Sequence, residues 1–224
     1  MRAQPRRLVL ASTSSYRKEL LARLGIVFEV VAPHTDERPL AGEDAADTAL
    51  RLASLKAQSV RAAHRDALII GSDQVATSAG RVLGKPGDHA TAARQLRSLS
   101  GKSADFHTAV ALLDAANGSV QTKVVPCRVH FRVLDDKRIE RYLEREKPYD
   151  CAGSAKAEGL GIALIARIET ADPTSLIGLP LIALTEMLER AGLSVVWSST
   201  PSRRPSAPRR RLRCRRPRWP PSGA

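Results

Sequence analysis

The apolar positions fall into short blocks whose spacing switches repeatedly between that of strands and that of helices. Arg7-Leu8-Val9-Leu10-Ala11 is a short buried strand. Ser12 to Ser15 follow as a hydroxyl-rich turn able to cap a helix, which runs from about Tyr16 to Leu24 with Leu20, Leu21 and Leu24 at helical spacing and stops at Gly25. Val27–Val31 predicts a second strand, and Asp47–His64 an amphipathic helix with Leu50, Ala53, Leu55, Ala57 and Val60 inward. Lys56, inside that helix, reads as a snorkelling surface charge. Ala67–Ile70 predicts a buried strand that Gly71 turns off, leaving Ser72, Asp73 and Gln74 just beyond its end. Asp88–Leu99 reads as a helix. Ala104–Leu113 and Ser119–Val133 alternate on either side of Asn117-Gly118, a strong hairpin signal. A helix over Asp135–Glu146, a small-residue loop over Cys151–Gly161, a strand over Ile162–Ile168, a turn from Asp172-Pro173 and a helix over Leu179–Ala191 complete the pattern. Alternating strands and helices give an α/β class with a mixed sheet.

Composition sharpens this picture at one place. The 224 residues suffice for a full core, and with only 4% aromatic residues that core is aliphatic. The net charge of +13 suggests nucleic acid until it is located. Nine of the 36 basic residues fall in Ser198–Ala224, which holds no acid, so the remainder carries 27 basic against 23 acidic side chains. The same stretch holds six of the 14 prolines, and its Arg/Pro/Ser content predicts a disordered tail. We therefore divide the chain into a folded domain, residues 1–197, and an Arg/Pro-rich tail, residues 198–224. Cys127, Cys151 and Cys214 are too far apart for a disulfide framework or a zinc site, which suits a reducing cytoplasm. No apolar run nears the roughly 20 residues of a membrane span, so no membrane partner is expected.

The chemistry-bearing residues share one description: each stands beside small or hydroxyl residues at the end of a strand or the start of a helix. The Ser12 turn, as a strand-to-helix junction, offers backbone N–H groups to an anion. Arg17 and Lys18 oppose the dipole of their helix, an unfavourable placement unless an anion binds there. Asp36 and Glu37 lie in a loop stiffened by Pro33 and Pro39. Asp73 alone reads as a capping or turn carboxylate, but Lys85 follows it between Gly84 and Pro86, and the Cys151–Gly161 loop adds Lys156 and Glu158.

Taken together, Leu10–Ser14 with Arg17, Asp36-Glu37, Lys56-Ala57, Gly71–Gln74, Gly84-Lys85-Pro86, Ala152–Gly159 and Asp172–Pro180 resemble the Maf-like nucleotide pyrophosphatases, over roughly Leu8 to Val196. The resemblance implies an elongated mixed sheet in two lobes with flanking helices, of the kind shared with inosine-triphosphate pyrophosphatases, with the active site in the cleft between lobes and a homodimeric assembly. It implies cleavage of a nucleoside triphosphate between its α and β phosphates with a divalent cation, Mg²⁺ or Mn²⁺. Asp73 would be the catalytic proton acceptor, Glu37 and Asp73 the metal ligands, and Ser12, Arg17, Lys56 and Lys85 the phosphate-binding set, with Ser72 and Lys156 also in the cleft. Tyr16, Gln74 and Glu158 resemble the branch that acts on 7-methylguanosine triphosphate and so keeps modified nucleotides out of nucleic acid, although a Trp is more usual at the place of Tyr16. The trio suits a cationic methylated guanine, which an aromatic face attracts and a carboxylate can hydrogen-bond. The alternatives are a pyrophosphatase for thymidine, uridine or other modified triphosphates and, from another class, a basic RNA-binding or septum-associated regulator that uses the tail.

Overall fold

The computed structural model describes residues 6–196, so the proposed tail and residues 1–5 and 197 of the folded domain lie outside the described residues. In chain order the elements are β1 (Leu8–Ala11), α1 (Ser15–Ala22), β2 (Glu29–Val31), α2 (Ala45–Ser59), β3 (Leu68–Ser78), β4 (Arg81–Leu83), α3 (His89–Leu99), β5 (Ser103–Asp114), β6 (Val120–Phe131), α4 (Asp136–Glu146), β7 (Ile165–Thr170) and α5 (Leu181–Arg190). Four of the helices start where an oxygen-bearing side chain can cap them. Ser14, Asp44, Asp88 and Asp135 each accept a hydrogen bond from the backbone N–H three residues on, a contact worth about 1 kcal/mol apiece.

The strands form one seven-stranded mixed sheet, ordered β2-β1-β3-β5-β6-β7 with β4 attached to β3. β1 lies parallel to both β2 and β3, and the pairs from β3 through β5 and β6 to β7 are antiparallel. Among the described residues four hydrophobic clusters lie along this sheet, and the two largest are its main cores. One joins β1 and β3 to α1 and α5 through Leu10, Leu20, Ile70 and Leu184. The other joins β5 and β6 to α3 and α4 through Leu96, Phe106, Ile139 and Leu143. Two cores on one continuous sheet are what a two-lobed molecule requires. Among the described residues no helix is long and apolar enough to cross a membrane.

The principal departure from the sequence expectation concerns Gly71. It does not end a strand, because β3 continues through it to Ser78. An added Cβ would lie 2.1 Å from the Ala53 carbonyl oxygen and 2.8 Å from the Ala57 nitrogen, so the glycine is where α2 presses its backbone onto β3. Asp73 consequently stands inside a strand rather than after one. The turn comes later, at Ala79 and Gly80, both with positive φ, and leads into β4.

Smaller differences have local causes. Val27 is 95% exposed, so β2 begins only at Glu29. Ile162 is also exposed and belongs to a 3-10 turn over Leu160–Leu164, which delays β7 to Ile165. The helix expected as far as His64 ends at Ser59 and is followed by a 3-10 turn at Arg61–Ala63.

Candidate active site

The register of β3 creates the site. β1 pairs with β3 only as far as Gly71, and β4 only from Ala76 onward. The stretch Ser72–Val75 between them is bonded to β5 on one edge and, among the described residues, to no strand on the other. A cavity of about 650 Å³ opens here, lined by residues of the Ser12 turn, α1, α2, β3, the β4–α3 loop and the Cys151–Gly161 loop. It brings together Ser12, Tyr16, Arg17, Glu37, Lys56, Asp73, Gln74, Lys85, Lys156 and Glu158, every residue expected in the site except Ser72. Ser72 is fully buried, and its hydroxyl donates to the carbonyls of Ala109 at 2.7 Å and Gly178 at 2.9 Å. It holds the floor of the site together and does not line it.

Side chains alternate along β3, so Asp73 shares with Gly71 the face that meets α2. This puts Asp73 against Lys56, whose ammonium is 2.6 Å from Asp73 Oδ1 and 2.9 Å from Glu37 Oε1. Lys56 is only 5% exposed, which corrects the surface reading: α2 is small enough along Ala49, Ala53 and Ala57 to approach the sheet closely and carry the lysine inward. A buried ammonium is tolerable here because two carboxylates neutralise it.

Arg17 is treated differently. Its Nε donates to the Gly178 carbonyl at 2.8 Å, and among the described residues no carboxylate lies within ion-pairing distance of it. Desolvation pulls its pKa below the ordinary arginine value, while the charges of Asp73 and Glu37 act the other way. A partly desolvated guanidinium that, among the described residues, bonds a carbonyl and no carboxylate is a ready partner for a bound anion. Ser12 Oγ accepts from the Ser14 N–H at 3.1 Å and so shapes the turn that leads to Arg17. Lys85 is exposed on the cavity's margin.

The remaining lining residues form a more open group. The Tyr16 hydroxyl donates to Asp150 Oδ1 at 3.2 Å, and desolvation raises its pKa well above the usual phenol range, so the ring stays neutral. The Lys156 ammonium lies 5.5 Å from the centroid of that ring, which is therefore already attracting a cation. Burial opposes the charge on Lys156, but Glu146, 3.4 Å away, more than offsets it and raises the pKa. Burial likewise pushes the Cys151 thiol up to about 11. Glu158 is exposed and takes no ion pair among the described residues. Gln74 directs its amide nitrogen away from solvent, toward Thr108, Ser175 and Leu176.

Residues 7–191 match the family model described as Maf-like protein. The chain belongs to the Maf family. Among its relatives, a protein of Thiobacillus denitrificans named 7-methyl-GTP pyrophosphatase is 60% identical over 86% of this chain and 96% of its own length. Proteins of the same name from Cupriavidus pinatubonensis and Burkholderia pseudomallei are 57% and 52% identical, covering 83% and 88% of this chain and 94% of each relative. The mixed sheet and the cavity at the bare edge of β3 are thus the frame in which this Maf chain holds its charged residues.

Among the described residues no group of three or more His, Cys, Asp or Glu side chains is gathered to hold a metal ion by itself. Glu37 and Asp73 nevertheless converge on one cationic point, now the Lys56 ammonium. Two hard oxygen donors with the rest of the shell left to substrate oxygens suit Mg²⁺ or Mn²⁺, which commonly bind through one or two carboxylates and phosphates. The Ser175–Gly178 turn lies within the Asp172–Pro180 stretch noted in the sequence, but no contact with Gln74 was expected of it, and Thr108 was not singled out. Their role depends on the pairing of β3 with β5, for which a single hydroxyl in an apolar strand gives no signal.

Proposed function

We propose that this Maf protein hydrolyses 7-methyl-GTP to 7-methyl-GMP and pyrophosphate, removing a modified nucleotide from the pool available for nucleic-acid synthesis. The observation that carries the proposal is the joint presence, in one cavity, of the Asp73–Lys56–Glu37 ion triad and of Tyr16, Gln74 and Glu158. The names of the relatives support the same reading.

In this reading Asp73 accepts a proton from the attacking water, the new P–O bond forms at the α phosphorus, and the bond to the bridging oxygen breaks so that pyrophosphate leaves with it. Lys56, 2.6 Å from Asp73 Oδ1, holds that carboxylate in place. Arg17 receives the phosphate charge for which it has no carboxylate, and Lys85 and the Ser12 turn add further neutralisation. Glu37 and Asp73 would hold the divalent cation, which when bound supplies charge neutralisation to the triphosphate. Tyr16 stacks on the cationic base, displacing or joining Lys156, and Glu158 accepts hydrogen bonds from the base edge.

The test is a panel of nucleoside triphosphates incubated with the full chain and Mg²⁺ or Mn²⁺, with separate detection of pyrophosphate and orthophosphate. The expected result is pyrophosphate release with the highest kcat/KM for 7-methyl-GTP. Orthophosphate as the first product would overturn the reaction type. A preference for uridine or thymidine triphosphate would overturn the substrate.

A further inference from the structure

Gln74 and Thr108 are directly opposite one another in the β3–β5 pairing, so their side chains rise from the same face of the sheet. Above that face lies the turn Ser175–Gly178, fixed from behind by Asp172. This buried carboxylate accepts from the Thr174 N–H and hydroxyl with one oxygen, and from the Ile182 N–H at 2.7 Å, at the start of α5, with the other. The turn therefore presents the Ser175 and Leu176 carbonyls at set positions.

These carbonyls decide how Gln74 is oriented. Its Nε2 donates to Thr108 Oγ1 at 2.9 Å, to the Ser175 oxygen at 3.0 Å and to the Leu176 oxygen at 3.1 Å. A carbonyl only accepts, so the opposite orientation would set the amide oxygen against two other oxygens. Thr108 reinforces the choice. Its hydroxyl is fully buried and spends its only proton on the Ser175 carbonyl at 2.9 Å, which leaves its oxygen as an acceptor for Gln74. The amide nitrogen is thus fully engaged by the protein, and Oε1, which takes no hydrogen bond among the described residues, is the end left for a ligand in the cavity.

We propose that Thr108 is a positioning residue for specificity, one that together with the Ser175 and Leu176 carbonyls holds Gln74 so that the site offers the base two acceptors, Gln74 Oε1 and the Glu158 carboxylate, and no donor from this pair. The inference rests on the function proposed above and deepens it. A guanine edge carries two adjacent donors, N1–H and the exocyclic amine, and both find acceptors. Methylation at N7 makes the ring cationic and its N1–H a stronger donor. A uracil edge has one N–H flanked by two carbonyls, and either carbonyl facing Gln74 or Glu158 is repelled. Rejection by unpaired polar groups is the strong form of discrimination, since a buried acceptor left without a donor forfeits its hydration.

The experiment compares wild type, Thr108→Val and Thr108→Ser on 7-methyl-GTP and UTP, with KM and kcat measured separately. Valine keeps the shape and removes the acceptor. For Thr108→Val the expected result is a roughly five- to tenfold rise in KM for 7-methyl-GTP, kcat within about twofold, and kcat/KM for UTP unchanged or higher. Thr108→Ser should recover the wild-type preference. Equal losses on both substrates, no loss, or failure of serine to restore the preference would overturn the inference. A measurement on the wild type covers the case in which valine does not fold: 7-methyl-ITP, which lacks the exocyclic amine, should show a roughly tenfold lower kcat/KM than 7-methyl-GTP, and parity would overturn the two-acceptor reading. A wild type without preference for 7-methyl-GTP over UTP would remove the proposed function itself, an outcome separate from any behaviour of the variants.

Discussion

Lys56 and Asp73 are buried and paired with each other on a helix and a strand whose backbones touch at Gly71, whereas Tyr16 and Glu158 sit at the margin of the same cavity, Glu158 exposed and without an ion pair among the described residues. The first group is assembled by the fold before any ligand arrives. The second is left to be completed by one. In the function proposed above, the difference becomes a division of labour: bond breaking, common to all triphosphates, falls to groups built into the sheet, and choice of base to side chains that can change without disturbing a core. Gln74 stands between the two, on the same strand as Asp73 but on its opposite face.

The largest effect should come from the paired group. Asp73→Asn removes the proton acceptor and hard oxygen ligand of the proposed mechanism, and kcat is expected to fall by about a thousandfold. Lys56 keeps Glu37 as a counter-ion, so the variant should retain the circular dichroism spectrum of a folded protein. Turnover near that of wild type would take Asp73 out of the mechanism and collapse the comparison.

Gly71→Ala attacks the scaffold rather than the chemistry. With the Ala53 carbonyl 2.1 Å from the new methyl carbon, α2 must move away from β3. A destabilisation of about 3 kcal/mol in urea unfolding is expected, together with a loss of turnover as Lys56 is displaced from Asp73. A neutral outcome would mean that the helix–strand contact does not hold the ion triad.

The open group is sharpened by Glu158→Gln. If the carboxylate accepts from a guanine edge, kcat/KM for 7-methyl-GTP should fall roughly ten- to a hundredfold while that for a pyrimidine triphosphate changes little. The melting temperature should stay put, because Glu158 is exposed and unpaired among the described residues. Equal losses on all substrates would make Glu158 part of the common machinery and erase the distinction between the groups.

The same distinction explains what could be read from the sequence. Charged and small residues at element boundaries marked much of the charged cavity lining, because Arg17, Glu37, Lys85 and Glu158 lie in or beside turns that composition marks clearly. The alternation of strands and helices likewise gave the mixed α/β sheet. The paired group was harder. Gly71 has the signature of a turn, and only the approach of α2 reveals that it is a contact within a strand. Lys56 has the signature of a surface charge, because nothing local says that Asp73, 17 residues later, will meet it. The orientation of Gln74 was out of reach for the same reason, since Thr108, 34 residues away, and the Ser175 carbonyl at a separation of 101 decide it.

The smallest effect is expected from deleting Ser198–Ala224, and it tests whether the cavity is self-sufficient. Nine arginines in this stretch are a large reserve of positive charge for the polyanionic substrate proposed above. The stretch is also rich in proline and poor in apolar residues, a composition that buries little surface. Because Arg17, Lys56 and Lys85 already supply cations to the cavity, the truncated chain should keep kcat/KM within about twofold and its melting temperature within about two degrees. Salt separates the two readings further. Exposed arginines that attracted substrate would make kcat/KM fall steeply with ionic strength in the full chain and less so after truncation. Parallel salt profiles are expected instead, and any RNA binding by the full chain should vanish with the deletion while hydrolysis remains. A tenfold loss of activity on truncation would mean that Arg17 is completed by charge from outside the cavity, and the paired group would no longer be the self-contained half of the comparison.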